Sequence, residues 1–426
     1  MSKREQALRE AQVASEAGDD ASAAAKLTQL LAQFPDEARA HNMLGMIALR
    51  RQEGTAAAVH FRAAIVQDPA EGALYLNLAT ALRLTNDDAG ELAALQGALN
   101  ADQRDFMAWR RKAELHERRG ENALTLQAWT NALRLSAHID PMPDVLAQVL
   151  ARAGQWVALH NARYGDGVDA ALDAARAAVP TAERRRFDAC ANATLGRRQI
   201  YANQCEGLHF PFLPADEFFE DHHFPWMDEI EARTDAIRAE LLALLASGAA
   251  GLQPYVQQQP GLPQNIWTEL NGSLDWSAYF LWNYGARIDD ACARCPETAA
   301  ALDLIPRVNL SGRAPTAFFS ILKPGKHIPA HSGVTNTRAI VHLPLIVPSG
   351  CRFRVGGETR SWVEGKAFAF DDTIEHEAWN DSDELRAVLI FDVWNPHITL
   401  PEQRLLQHLC KAIDGSGYSP GMSDAR

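Results

Sequence analysis

A proline period constrains this chain more than anything else in it. Pro35 and Pro69 stand 69 − 35 = 34 residues apart, and the residues around them repeat on that step. Across residues 38–69 a bulky residue, His41, is followed by the pair Leu44-Gly45. A small residue (Ala57), an aromatic (Phe61) and a second small residue (Ala64) come next. The following unit keeps register with Tyr75, Leu78-Ala79, Leu82, Leu95 and Ala98, and has Gln103 at the proline position. A third carries Trp109, Ala113, Trp129 and Ala132, and a degenerate unit with Ala11, Ala23, Leu27, Leu30 and Pro35 precedes them all. The pattern encodes a repeated pair of helices. Small residues let one helix approach the next, and large residues one turn away fill the groove between successive pairs.

Period and pattern together resemble the tetratricopeptide repeat and predict an all-α solenoid over residues 1–137. A plain helical bundle with coincidental spacing is the competing reading. A solenoid presents a concave surface, for which a peptide or protein is the expected partner. Residues 138–200 stay alanine-rich but lose the period, which predicts helices that cap and link. A solvated helix face accounts for the basic run Arg184-Arg185-Arg186 there.

A length of 426 residues suggests two or three domains. The net charge of −13 argues against nucleic acid and against an anionic membrane surface as partners. No stretch supplies the roughly 18 consecutive apolar residues of a membrane span. The opening MSKREQALREAQVASEAGDD has no apolar core of a secretory signal, so a cytoplasmic location is expected. Six cysteines make no disulfide framework in a chain this long, and Cys292 and Cys295 read as ordinary thiols.

Past Tyr201 the texture turns aromatic and proline-punctuated. Residues 227–245 have helical periodicity. His222-His223 on an extended segment would point opposite ways, which speaks against a joint ligand role. From Pro315 the period becomes that of strands, predicted at 316–322, 338–347, 352–355, 366–370 and 386–394. Turn signals such as Lys323-Pro324-Gly325 and Gly356-Gly357 lie between them. The fold class predicted for the chain is therefore multidomain α + β. An all-α array is followed, over residues 201–426, by a double-stranded β-helix (a jelly roll of the cupin type) with flanking helices. The mouth of such a barrel lets several strands aim side chains at one metal ion.

Two histidines stand out, His331 in PAHSGVTN and His376 in DTIEHEAWN. Non-haem iron oxygenases hold the metal on one side with a few imidazole or carboxylate ligands. The residue two after His331 is Gly333, so the usual carboxylate is missing. On spacing alone, metal ligands and hydrogen-bonded structural histidines both remain open.

The stretch 319–396 resembles the aspartyl/asparaginyl β-hydroxylase family of 2-oxoglutarate oxygenases. The runs that carry the resemblance are FSILKPGKHIPAHSGVTN, RAIVHLPLIVP and GCRFRVGGETRSWVEGKAFAFDDTIEHEAWNDSDELRAVLIFDVWNP, with weaker similarity back to about residue 210. It implies that iron(II) is held by His331 and His376, with glycine at 333 as expected in that family. It implies a clamp on the distal carboxylate of 2-oxoglutarate by Arg386, ten residues past His376, and Ser320, eleven before His331. His342 then lies near the metal-bound carboxylate. Relatives often carry an arginine two positions before that histidine, where this chain has Ile340; Arg338 is the available guanidinium, for cosubstrate or substrate. Trp276 walls the pocket or is a core aromatic. Asp371 and Asp372 support a ligand histidine or start a turn.

The activity so implied consumes O2 and 2-oxoglutarate, releases succinate and carbon dioxide, and hydroxylates an unactivated C–H bond. The expected substrate is the β-carbon of Asp or Asn in a peptide or protein bound with help from the repeats. The alternatives are a small amino-acid-derived or lipid substrate, and a non-catalytic scaffold with an inactive jelly roll.

Overall fold

The computed structural model describes residues 2–248 and 250–416. Met1 of the expected array, and Ala249 with residues 417–426 of the expected C-terminal domain, lie outside the described residues. The chain divides into two compact units, Met1–Arg185 and Arg186–Arg426.

The first unit opens with four helix pairs: α1 (Lys3–Glu16) with α2 (Asp20–Gln33), α3 (Ala38–Arg50) with α4 (Gly54–Gln67), α5 (Gly72–Leu84) with α6 (Asp88–Ala101), and α7 (Phe106–Arg118) with α8 (Asn122–Ser136). α3, α5 and α7 begin at 38, 72 and 106, and α2, α4, α6 and α8 at 20, 54, 88 and 122, so every step is 34 residues. A coincidental bundle would not keep that step. Aspartates start several of these helices: the carboxylates of Asp19, Asp87 and Asp105 accept from the backbone N–H three residues on. Gly45 shows why the small positions are small. A Cβ there would come within 2.6 Å of the ring of Phe61, which is fully buried between α3 and α4. After the pairs comes one long helix, α9 (Asp144–Ala177), and α10 (Thr181–Thr194) crosses the boundary between the units. Among the described residues no helix is long and apolar enough to cross a membrane.

The second unit places short helices and two antiparallel sheets in layers. Its elements are α11 (Met227–Glu231), α12 (Thr234–Ala246), β1 (Gln253–Pro254), β2 (Trp276–Asn283), β3 (Ala286–Arg287), α13 (Asp289–Arg294), α14 (Pro296–Asp303), β4 (Ala317–Leu322), β5 (Lys326–His331), β6 (Arg338–Ile346), β7 (Cys351–Val355), β8 (Glu358–Arg360), β9 (Phe368–Phe370), β10 (His376–Asn380), β11 (Arg386–Trp394) and α15 (Leu400–Gly415). The larger sheet runs β1-β2-β4-β11-β6-β9 with β3 on β2; the smaller runs β5-β10-β7-β8. One apolar core lies between the sheets, from Trp276, Leu322 and Val388 to Ile328, Phe353 and Ala378. A second packs α12, α13 and α14 on the outer face of the larger sheet through Ile237, Leu241, Leu302, Phe319 and Leu389.

The five predicted strands are present with edges shifted by a residue or two. β5 and β10 are not among them. The single helix expected over 227–245 is broken between α11 and α12, where the Thr234 hydroxyl donates to the Glu231 carbonyl. His222-His223 lies in a short 3-10 turn with ring centroids 4.0 Å apart, so the extended, opposed arrangement expected for it is corrected. Cys292 and Cys295 are buried in the outer core, where desolvation raises both thiols, Cys295 to about 11. Such thiols stay protonated and act as small apolar groups.

Candidate active site

β5 and β10 pair so that His331 stands directly opposite His376. Their ring centroids are 4.1 Å apart. Each Nδ1 lies against the carbonyl two residues back: His331 on Pro329 O at 2.8 Å, His376 on Ile374 O at 3.0 Å. A carbonyl only accepts, so Nδ1 carries the hydrogen and Nε2 keeps its lone pair. Burial, reinforced by the neighbouring His376, pushes His331 down to about 3, and burial pushes His376 down to about 4. Both rings are thus neutral, the form that ligates a metal ion. Among the described residues no group of three or more His, Cys, Asp or Glu side chains forms a possible metal site. The donor set is two imidazoles, which fits a divalent transition ion with several positions left open.

Gly333 has a steric reason of its own. A Cβ at that position would collide with the carboxylate of Asp372, which fills the space a side chain there would occupy. Burial raises the Asp372 carboxyl, opposed by the charge of Arg338. Asp371 turns away from the pair, accepting from the backbone N–H and hydroxyl of Thr373 and from Asn203. Of the two roles open to it, Asp371 takes the turn.

The face of the larger sheet that looks toward these rings carries the other singled-out residues. Ser320 is opposite Val388 and His342 opposite Ile390, which puts Ser320, His342 and Arg386 on one face. Arg386 is 1% exposed. Its Nη1 donates to Ser320 Oγ at 3.3 Å, and Trp276 Nε1 donates to the same oxygen at 3.1 Å. With both lone pairs of that oxygen used, the hydroxyl proton is left to donate elsewhere. The guanidinium lies 5.0 Å from the centroid of Trp362, whose Nε1 donates to His342 Nδ1 at 3.4 Å. Among the described residues Arg386 Nε has no partner and no carboxylate pairs with the group. Desolvation pulls it down to about 10.

Arg338 has the opposite surroundings. Its Nη1 donates to Asp392 at 3.0 Å and its Nη2 lies 3.6 Å from Asp372. Asp392 is 1% exposed, and burial raises it to about 6 against the pull of Arg338. The structure therefore brings His331, His376, Ser320, His342, Arg386 and Trp276 together, and engages Arg338 with two acids. Sequence reasoning missed Trp362, Asp392, Trp267, whose ring meets His331 edge-on at 4.9 Å, and Tyr255, stacked on Trp276 at 4.0 Å. Only the first two lie within the runs that carry the resemblance, and nothing in their spacing marked them.

Comparison with known proteins bears on this geometry. Residues 231–396 match the family described as aspartyl/asparaginyl beta-hydroxylase. The chain is 42% identical to the human aspartyl/asparaginyl beta-hydroxylase over 131 residues, 30% of this chain and 17% of that protein. It is 40% identical over 197 residues to the ornithine lipid ester-linked acyl 2-hydroxylase of Rhizobium tropici, 44% of this chain and 64% of that protein. The chain thus spans less than two thirds of either relative. Among solved structures, MamA of Desulfovibrio magneticus RS-1 is similar with a TM-score of 0.31 at 17% identity, over 32% of this chain and 78% of that one. The 34-residue step of the helices, more than any such likeness, characterises the first unit. With the match falling on the strands that bring His331, His376 and Arg386 together, the chain carries a domain of the aspartyl/asparaginyl β-hydroxylase family, preceded in sequence by a tetratricopeptide array.

Proposed function

We propose that the second unit is a jelly-roll dioxygenase that uses iron(II), 2-oxoglutarate and O2 to hydroxylate a C–H bond in a peptide or protein. The observation that carries this reading is Arg386. A guanidinium 1% exposed and without a carboxylate partner among the described residues is costly to bury. It is what a site keeps when an anion is to arrive. The distal carboxylate of 2-oxoglutarate would accept from Arg386 and from the free hydroxyl proton of Ser320, a short charge-assisted pair. Trp276 and Trp362 keep water from that pair.

Apart from the β7-β8 hairpin, β4 to β11 alternate between two sheets in the orders β4-β11-β6-β9 and β5-β10-β7-β8, which supports the double-stranded β-helix. His331 and His376 would hold the iron through their Nε2 lone pairs. When bound, iron supplies the redox chemistry that couples decarboxylation of 2-oxoglutarate to succinate with insertion of oxygen into the substrate. Trp267 and Trp276 wall His331 and orient what reaches it. The array would present the peptide or protein, a reading supported by the general use of such concave surfaces. The similarity over 197 residues to an acyl 2-hydroxylase favours a second substrate, a lipid acyl chain, with the same chemistry.

The direct test is the protein reconstituted anaerobically with iron(II), then given ascorbate, 2-oxoglutarate and air. Slow succinate formation without added substrate is expected. Stoichiometric iron with no succinate would remove the oxygenase reading.

A further inference from the structure

We propose that a cavity between α5 and α7 of the helical array receives an acidic side chain, an aspartate or glutamate within an extended segment of a partner protein. The inference needs neither iron nor 2-oxoglutarate and stands apart from the oxygenase reading above.

The cavity measures about 210 Å³, and Thr80, Arg83, Glu91, Arg110, Arg111 and Glu114 line it, with apolar wall from Ala79 and Met107. Arg111 ties its two sides together: Nη1 donates across to α5, to Leu76 O at 2.8 Å and to Thr80 Oγ1 at 2.7 Å. The Arg83 side chain is 52% exposed and that of Arg110 27%, so the cavity is reached from solvent. Small-molecule sites occupy roughly 300–1,000 Å³. A space of this size suits one side chain.

Its guanidiniums outnumber its carboxylates. Glu114 is shared by two arginines, Arg110 at 3.0 Å and Arg83 at 3.5 Å. Glu91 is buried and held from outside the lining by Arg118 at 2.6 Å. Among the described residues Arg111 pairs with no carboxylate, and its Nε and Nη2 make no hydrogen bond. Asp105 also acts on Arg111, but it caps the start of α7 and does not line the cavity. The lining therefore sums to 3 − 2 = +1, in a chain whose net charge is −13. One carboxylate brings the sum to zero and accepts from Arg111 in a charge-assisted bond. A phosphate, with nearly two charges at neutral pH, would overshoot it.

A second cavity, of about 290 Å³, shows what lies beyond the anchor. It sits between α1 and α3, where Arg39 and Glu16 cancel and Gln12, Ser15 and Asn42 add neutral polar groups. Asn42 accepts from Asn77 of α5 at 3.1 Å, so polar surface continues from this cavity toward the first. A segment anchored by its acidic side chain at Arg111 can run on over neutral ground. That continuity suits a residue inside a chain better than a free carboxyl end.

The test uses the full chain and a short dye-labelled peptide, amidated at its carboxyl end, in which glutamate alternates with serine and alanine. Binding is read by fluorescence anisotropy at neutral pH and low salt. The glutamate peptide is expected to bind at least about tenfold more tightly than its glutamine counterpart, with the advantage shrinking as salt is added. Replacing Arg83→Gln and Arg110→Gln together should weaken it about tenfold, whereas Arg39→Gln at the neutral cavity should change it by less than about twofold. Glu114→Gln removes the carboxylate that competes for Arg83 and Arg110, so it should tighten the glutamate peptide several-fold. A misfolded variant cannot produce that gain, and it carries the test if the double arginine variant fails to fold. Equal affinity for the two peptides, binding of neither, equal losses at Arg39 and at the arginine pair, or no gain from Glu114→Gln overturns the proposal. So does tighter binding of a counterpart with phosphoserine in place of glutamate, or of a peptide whose only carboxylate is its own free end. Succinate formation, which reports on the oxygenase reading, does not enter any of these outcomes.

Discussion

The two units bury polar groups in different ways. In the helical array the interior is alanine, leucine and a few aromatics, and its buried acids are matched, Glu37 by Arg4 and Glu91 by Arg118 at 2.6 Å, although His116 keeps one bare ring nitrogen. In the sheet unit Arg386 is buried without an acid, and Arg338, Asp372 and Thr316 each keep a bare polar atom. A chain under selection for stability alone would replace such groups with apolar ones of similar volume. The contrast assigns each unit its role. The array spends its interior on repetition and shape, whereas the sheet unit buries a guanidinium that no acid among the described residues neutralises.

That contrast can be broken at its strongest point first. His376→Ala removes one of the two proposed ligands and is expected to lower iron content and succinate formation by about a hundredfold or more. Retention of both would mean that the facing imidazoles are structural. Next comes Arg386→Met. It should weaken 2-oxoglutarate by about 2–3 kcal/mol, leave iron binding intact and raise the apoprotein's Tm, since an uncompensated cation is removed from the interior. A lower Tm with unchanged cosubstrate affinity would make Arg386 a structural residue like those of the array. In the array itself, Phe61→Ala should cost about 3–5 kcal/mol in the unfolding of the first unit. Succinate formation without substrate should not change, because every residue of the site lies in the second unit. A parallel loss of activity would mean that the contrast between the units is false.

The array was legible because its signal is redundant: a period recurring over several units survives the degeneracy of any one of them. The strands of the larger sheet were legible for another reason. β4 reads AFFSIL and is buried at every position, and such runs are apolar whichever face is considered. β5 and β10, which carry the histidines, gave no such signal. KHIPAH has a proline at 329, tolerated because β5 is the edge of its sheet, and HEAWN turns Glu377 and Trp379 outward to meet His327 and Arg352. The site therefore came through the family resemblance, and spacing alone left the histidines open. What neither source could give is pairing across the fold. Arg338 looked like a free guanidinium until Asp392, 54 residues on, was seen beside it, and Trp267 reaches His331 from an irregular segment of the chain.

The smallest effect expected is also the one most specific to the site. Unfolded imidazoles take a proton near pH 6.5, whereas in the fold His376 refuses it until about 4 and His331 until about 3. Between those limits the unfolded chain binds more protons, so these two residues make the apoprotein less stable as pH falls from 6.5 toward 4, and contribute nothing above that window. Asp371 and Asp392, pushed up to about 7 and about 6 by burial, act in the opposite direction, since their folded forms take protons first. The wild-type curve is the sum of both. Subtracting the curve of the His331→Gln, His376→Gln double variant isolates the imidazoles, because the acids titrate in each. Urea midpoints measured for both proteins from neutral pH to about pH 4 should show the wild type losing ground to the variant as acid is added. A flat difference would mean the pair is not held neutral in the fold.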